Sequence, residues 1–355
     1  MTALLLSLFI YLAYFGFKPT IYLKTLNSIS ALAGFYLLLG SRRQTLFWSG
    51  FFIGLFWFYW IGFSFRYYDM SYLIPLMMLF VSVGYGVIFW IVGLFRHPLM
   101  RALLFWLMSY FYPMNFNWFV PELTLIDSFF GIEKWQFGLF LSGIVLLLMP
   151  RKNVRWLAII PLLLAIEWHP HPPLPLPKEK IYLSKITTPQ ATKWKDPFRA
   201  KTIRKNFREI ADAIDKGYDI IILHESAFAT FLNTEPTLVQ KLKMLSKKIA
   251  IVTVGLYFDG RDSYNSTYYF IDGEMKIAPR FISRYINQLV FNGAEDYIGA
   301  SRPTDVKINA HTFRNAICYE ATREELFVKD PRYMIAISNN AWFTPSIEPT
   351  LQYLL

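Results

Sequence analysis

The first 168 residues are a succession of long apolar runs separated by short charged turns, and no other feature limits the fold of this chain so strongly. A helix that crosses the hydrocarbon core of a bilayer needs about 20 mostly apolar residues, because lipid offers its backbone no hydrogen-bond partners. Seven segments fit this description: 2–17, 22–40, 45–64, 72–95, 102–120, 134–150 and 154–168. Two of them depart from the pattern. Segment 102–120 contains Pro113, Asn115 and Asn117, and segment 154–168 is short. The first segment lacks a basic leader and a small-residue cleavage site, so it reads as a span and not as a signal peptide. Beyond Pro177 the chain has the composition of an ordinary globular domain. The whole-chain values of 54% hydrophobic and 17% charged residues therefore average two unlike halves.

The turns give the spans a direction. Arg42 and Arg43, then Arg96 and Arg101, then Arg151, Lys152 and Arg155 follow the second, fourth and sixth segments. Arg66 with Asp69, then Glu122, Asp127, Glu133 and Lys134, follow the third and fifth. Basic turns stay in the cytoplasm. The N-terminus is therefore expected inside, and the soluble half, after an odd number of spans, outside. In a bacterium that places it in the periplasm, tethered to the inner membrane. The net charge of +11 flanks apolar segments, where it sets topology and meets anionic lipid, so nucleic acid is not an expected partner. Trp48, Trp57, Trp60, Tyr67, Tyr68, Trp118 and Trp135 lie within or near the ends of spans and read as interfacial anchors.

Residues 169–179 form a linker whose alternating prolines favour an extended path. His169 and His171 lie in it without a third ligand, so no metal site is expected there. Strands and helices then alternate. Strands are expected at Lys180–Thr187, Asp219–Leu223, Ile249–Gly255, Arg314–Cys318 and Tyr333–Ser338, and helices at Phe198–Lys216 and Thr237–Lys248. Ser266–Ile271 and Met275–Ala278 flank Asp272-Gly273, a type I′ hairpin signal. The fold class is thus a multi-span α-helical membrane domain (residues 1–168) plus an α/β soluble domain (residues 180–355).

Two strand ends carry unusual chemistry. The Asp219–Leu223 strand runs into His224 and Glu225, and the Arg314–Ile317 strand runs into Cys318, the single cysteine, followed by Tyr319 and Glu320. A thiol needs a base to act as a nucleophile at neutral pH, and a half-buried carboxylate can supply one. The same residues have plainer readings: a buried structural thiol, a helix-start carboxylate and a satisfied imidazole.

Three strings change that balance: His224-Glu225-Ser226-Ala227-Phe228, Ala316-Ile317-Cys318-Tyr319-Glu320 and Ile337-Ser338-Asn339-Asn340-Ala341-Trp342-Phe343. In this order, behind a multi-span membrane half, they resemble bacterial apolipoprotein N-acyltransferases, membrane-tethered members of the nitrilase (carbon–nitrogen hydrolase) superfamily. The resemblance implies a nitrilase-like αββα sandwich for the soluble domain. It makes Glu225 the general base and Cys318 the nucleophile, with Tyr319 and Glu320 as supporting residues. It implies transfer of an acyl chain from a membrane phospholipid, through a Cys318 thioester, to the N-terminal diacylglyceryl-cysteine of an apolipoprotein. The expected partners are those two lipid-anchored substrates and the membrane itself. The protein is expected to be a monomer, and no cofactor or metal is implied.

Two departures from the family stand out. The family lysine, carried by a Lys-x-x-Leu-Val-Pro-Phe-Gly-Glu type segment, has no counterpart between Ala278 and Pro279, where a short block is missing. Lys276 and Arg284 are cations near the junction and neither matches it, so no catalytic lysine is assigned. The family also continues past Trp342 with a helix, further strands and a final span, so the 355 residues read as a shortened chain. Two other functions stay open on this reading: a membrane-tethered amidase or nitrilase using the same Cys and Glu, or a catalytically dead lipoprotein-binding protein that has lost its lysine.

Overall fold

The computed structural model describes residues 1–112, 117–168, 175–186, 191–280 and 302–355. They form two compact units. One contains the N-terminal helices together with Trp342–Leu355, and the other ends at Ala341.

The first unit is helical. Its elements are α1 (Thr2–Tyr14), α2 (Ile21–Gly40), α3 (Arg43–Phe58), α4 (Ile74–Val92), α5 (Pro98–Met108), α6 (Lys134–Leu148), α7 (Lys152–Arg155) and α8 (Ile159–Leu164). A 3₁₀ stretch prolongs α3 to Tyr67. Among the described residues three helical stretches are long and apolar enough to cross a bilayer: Ile21–Gly40, Arg43–Tyr67 and Ser71–Val92. Helices α1, α5 and α6 are apolar but only 13, 11 and 15 residues long. Two of the seven expected spans need correction. Segment 102–120 is helical only as far as Met108, and a 3₁₀ turn at Pro121–Leu125 follows it. Segment 154–168 is broken into α7, a 3₁₀ turn at Trp156–Ala158 and α8. Pro161 accounts for the second break, because it removes a backbone donor inside α8.

Helix α4 shows what solvent this unit prefers. Leu76, Leu79, Phe80, Val83, Val87 and Ile91 all lie exposed on it. An apolar face of this extent is stable against lipid and not against water. The inner face of α4 packs on α3 at very short range. A Cβ on Gly50 would come 2.4 Å from the Tyr85 carbonyl oxygen, and one on Gly54 would come 3.0 Å from the Ser82 Cα. Gly50 and Gly54 are spaced four apart, the arrangement that lets helix backbones approach in a membrane. We expect Gly50→Ala to lower the melting temperature of the detergent-solubilised protein, because backbone is the obstacle and cannot turn away; overpacking of this kind costs about 1–3 kcal/mol. Gly84→Ala, on the neighbouring helix but facing open space, serves as the control and should leave the temperature unchanged or raise it.

The second unit is α/β. Its strands are β1 (Ile181–Leu183), β2 (Ile220–Glu225), β3 (Ala250–Phe258), β4 (Ser263–Ile271), β5 (Glu274–Pro279), β6 (Asp305–Ile308), β7 (His311–Ile317) and β8 (Met334–Ile337), and its helices are α9 (Asp196–Asp215) and α10 (Pro236–Leu245). A last helix, α11 (Glu348–Leu354), belongs to the first unit. One sheet has the order β1-β2-β3-β4-β5 and the other β6-β7-β8. Strands β1, β2 and β3 run parallel, whereas β3, β4 and β5 are antiparallel. Residues alternate between two cores, as the pleat requires. Ile221, Leu223, Ile251, Tyr268 and Phe270 face α9 and α10. Ile220, Val252, Val254 and Tyr269 face Ile308, Phe313, Ile317 and Ile337 of the second sheet. Both faces of β2 and β3 are therefore buried, which explains their unbroken runs of β-branched residues. The described layers are helix, sheet and sheet. No helix layer over the outer face of β6-β7-β8 is seen among the described residues.

Candidate active site

The site is assembled from the ends of β2, β7 and β8. Glu225 is the last residue of β2, not a residue beyond the strand as the sequence suggests. The strand bulges just before it: Ile222 pairs with Val252 but Glu225 pairs with Val254. A bulge re-aims the side chains that follow it. Ser226 then takes a positive φ of 56° and donates its N–H to Val254 O at 2.7 Å, ending the strand. The Glu225 carboxylate accepts from Asn265 Nδ2 at 3.0 Å. Arg280 donates its backbone N–H to Asn265 O at 2.9 Å, which anchors a cation beside the residue that holds the carboxylate. Lys193 is 3% exposed and donates from Nζ to the Glu225 backbone carbonyl at 2.6 Å.

Cys318 follows β7 directly and opens a 3₁₀ turn over Cys318–Thr322. Its φ is 53°, in the left-handed region, which costs a side-chain-bearing residue roughly 1–2 kcal/mol. The neighbouring residues enforce this conformation. The buried carboxylate of Glu320 accepts the Ile317 N–H and clamps the turn. Strand β8 lies parallel to β7 with Ile317 opposite Ile337, so Ser338 comes next to Cys318, with its Oγ 3.4 Å from Sγ. Tyr319 hydrogen-bonds Arg323 through its hydroxyl and offers its backbone N–H to the sulfur.

The electrostatics link the two strand ends. Burial pushes the Glu225 carboxyl above the ordinary carboxylate range. The hydrogen bond from Asn265, the charges of Arg280 and Lys193 and the Asn339 N–H pull it back down. Burial also pushes the Cys318 thiol up, and the Glu225 charge adds to this, while Ser338, Arg280 and the Tyr319 N–H oppose it. Carboxylate and thiol therefore feel one another, and Arg280 feels both. Burial lowers the Lys193 ammonium to about 8, against the pull of Glu225.

The motif strings bring Glu225 and Cys318 together, and the structure does the same. Lys193, Arg280 and Asn265 belong to the same site and carry no comparable signal in the sequence, whereas Ser338 stands in the third motif string. His224 is not the satisfied imidazole that its plainer reading implies. Both of its ring nitrogens are buried without a hydrogen-bond partner among the described residues, and burial with the nearby Lys193 charge lowers its pKa to about 4. His224 is thus neutral near pH 7. Arg284 lies outside the described residues. Lys276 is on β5 and pairs with Tyr269.

The integral membrane domain of apolipoprotein N-acyltransferases matches residues 1–168. A protein from Wolinella succinogenes named apolipoprotein N-acyltransferase is 41% identical over 99% of this chain and 88% of its own length. The chain belongs to the apolipoprotein N-acyltransferase family. Like-named proteins from Helicobacter pylori and Campylobacter jejuni are 34% and 30% identical, over 93% and 99% of this chain and 82% of each relative. Among solved structures, a carbon–nitrogen hydrolase superfamily protein from Xanthomonas campestris is similar at a TM-score of 0.31 with 12% identity, over 40% of this chain and 59% of that one. The match to the Wolinella protein extends over 373 positions, more than the 355 residues present here, so that relative holds residues within the matched range that this chain lacks.

Proposed function

We propose that this protein is an acyltransferase that moves an acyl chain from a phospholipid to the α-amine of a diacylglyceryl-cysteine at the N-terminus of an apolipoprotein, with Cys318 as nucleophile and Glu225 as general base. The observation that carries this reading is the electrostatic meeting of one carboxylate and the single cysteine at strand ends of the two packed sheets, in a chain of this family. Glu225 takes the thiol proton as Sγ attacks the ester carbonyl. The tetrahedral intermediate collapses to a thioester, and the leaving lysophospholipid oxygen takes the proton back from Glu225. The acceptor amine then attacks the thioester and gives a proton to Glu225, and the thiolate leaves and is reprotonated. Arg280 and the Tyr319 N–H are the cation and donor that steady negative charge at this point. Glu320 acts as a positioning residue through the Ile317 N–H.

Both substrates are anchored in lipid, and this protein is anchored in the same plane. That shared plane lowers the entropic cost of encounter. We place the protein in the bacterial inner membrane as a monomer, with its N-terminus cytoplasmic and its catalytic unit periplasmic. The alternation of basic turns supports that orientation. The test is direct: purified protein, a phospholipid with a labelled acyl chain and a diacylglyceryl-cysteine peptide are mixed, and the peptide mass is followed. Gain of one acyl group on the peptide amine is expected. Release of free fatty acid without transfer would favour a hydrolase. No reaction on a folded chain would favour a binding protein.

A further inference from the structure

A second site lies in the helical unit, at the turns that join α2 to α3 and α4 to α5. A cavity of about 520 Å³ opens there, lined by Arg42, Arg43, Arg96 and Arg101 together with Ser41 and Pro98. Among the described residues no Asp or Glu lines it. Four guanidinium groups in one cavity repel each other unless an anion joins them. Two of the four are built in and not merely present at the surface. Arg101 is 6% exposed. Its Nε donates to Phe95 O at 2.7 Å, and its Nη1 donates to Leu39 O at 2.8 Å and to Ser41 O at 2.6 Å. Those three carbonyls fix the plane of the group, and Nη2 is left with no protein acceptor among the described residues. Arg43 lies over the Trp90 ring, 3.3 Å from its centroid, and its buried Nε has no hydrogen-bond partner among the described residues. Arg42 and Arg96 are exposed at the rim.

We propose that this cavity binds a phosphate group, and that its occupant is the headgroup of an anionic phospholipid. A rigid guanidinium with a free edge, a second one stacked on an indole and two mobile ones at the rim form a fork-like donor set suited to phosphate oxygens. The adjoining surface favours a lipid over a free ion. Pro98 borders the basic cavity, and Leu99, the next residue, borders an apolar groove of about 470 Å³ between α5 and α6, lined by Leu103, Trp106, Trp135 and Leu139. A phosphate held by the arginines leaves an acyl chain within reach of that groove. Basic pockets between membrane helices recognise anionic headgroups in this way. The site is independent of the acyl-transfer chemistry and uses none of its residues.

Native mass spectrometry of the full-length protein in detergent, titrated with phosphatidylglycerol, tests this. We expect the wild type to retain one phosphatidylglycerol in preference to phosphatidylcholine. The Arg42→Gln/Arg96→Gln double variant, which leaves the structural contacts of Arg101 intact, should bind it at least tenfold more weakly. Arg151→Gln/Lys152→Gln, in a basic turn outside the cavity, should bind it as the wild type does. Equal loss in both double variants, or no loss in the first, overturns the proposal. Inorganic phosphate displacing the lipid at equimolar concentration overturns the assignment to a lipid.

Discussion

Cys318→Ala is expected to abolish acyl transfer, lowering the rate by a factor of about 10⁴ or more, because nothing else among the described residues near the Glu225 carboxylate is a nucleophile of comparable strength. The wild-type protein incubated with phospholipid alone should gain the mass of one acyl chain, and the variant should not. Peptide mapping should place that chain on the peptide containing residue 318. The fold should survive the change. The positive φ of 53° penalises alanine about as much as cysteine. This geometry adds an independent check. Cys318→Gly should raise the melting temperature, by up to about 1 kcal/mol in stability, since glycine adopts the left-handed region without strain. A catalytically dead variant that is more stable than the parent would identify Cys318 as a residue held under strain for its chemistry. An acyl adduct persisting in Cys318→Ala would sink the thioester route outright.

Elements with strong local signals are legible in the amino-acid sequence. Asp272 and Gly273 both take positive φ, 52° and 84°, as the Asp-Gly pair between two strands implies. The runs at 219–223 and 249–255 fold as β2 and β3 because both faces of a central strand are apolar, a pattern that survives in sequence. Strand β6, Asp305–Ile308, is not legible, since four residues that include Asp305 and Lys307 carry too little hydrophobic signal. The broken spans are legible only in part: segments 102–120 and 154–168 already depart from the span pattern, but apolar composition marks what lipid tolerates and not where a helix ends. In the site, Glu225 and Cys318 can be found because each sits at a strand end within a distinctive string. Lys193 and Arg280 cannot. Lys193 precedes Glu225 by 32 residues and lies outside any strand, and its bond to the Glu225 carbonyl is tertiary. Arg280 matters only because β4 and β5 pair in a register that delivers it to Asn265. Two buried or half-buried cations, Lys193 and Arg280, thus stand beside Glu225 and give the site positive charge.

Replacing Glu225 by Gln is expected to slow transfer about 10²- to 10⁴-fold, the range for removing a general base, while keeping the fold, because Gln can still accept from Asn265. The pH profile shows whether the loss is of proton transfer and not of shape. Glu225 must be unprotonated to take the thiol proton, so activity should fall as pH drops through its pKa. Burial raises that pKa above the ordinary carboxylate value, so the acid limb should lie above the range of an exposed glutamate. Glu225→Gln should erase the limb along with most of the rate. The neighbouring cations then supply a test with a defined sign. Arg280 and Lys193 each lower the Glu225 pKa, so Arg280→Gln and Lys193→Met should each move the limb to higher pH. Arg280→Gln should also cost rate at every pH, since Arg280 alone of the two also favours the thiolate. Arg280→Lys, which keeps the charge, should restore part of both. If the acid limb survives in Glu225→Gln, another group takes the proton and Glu225 is structural. If the limb stays fixed in both cation variants, the charges beside Glu225 do not govern its protonation.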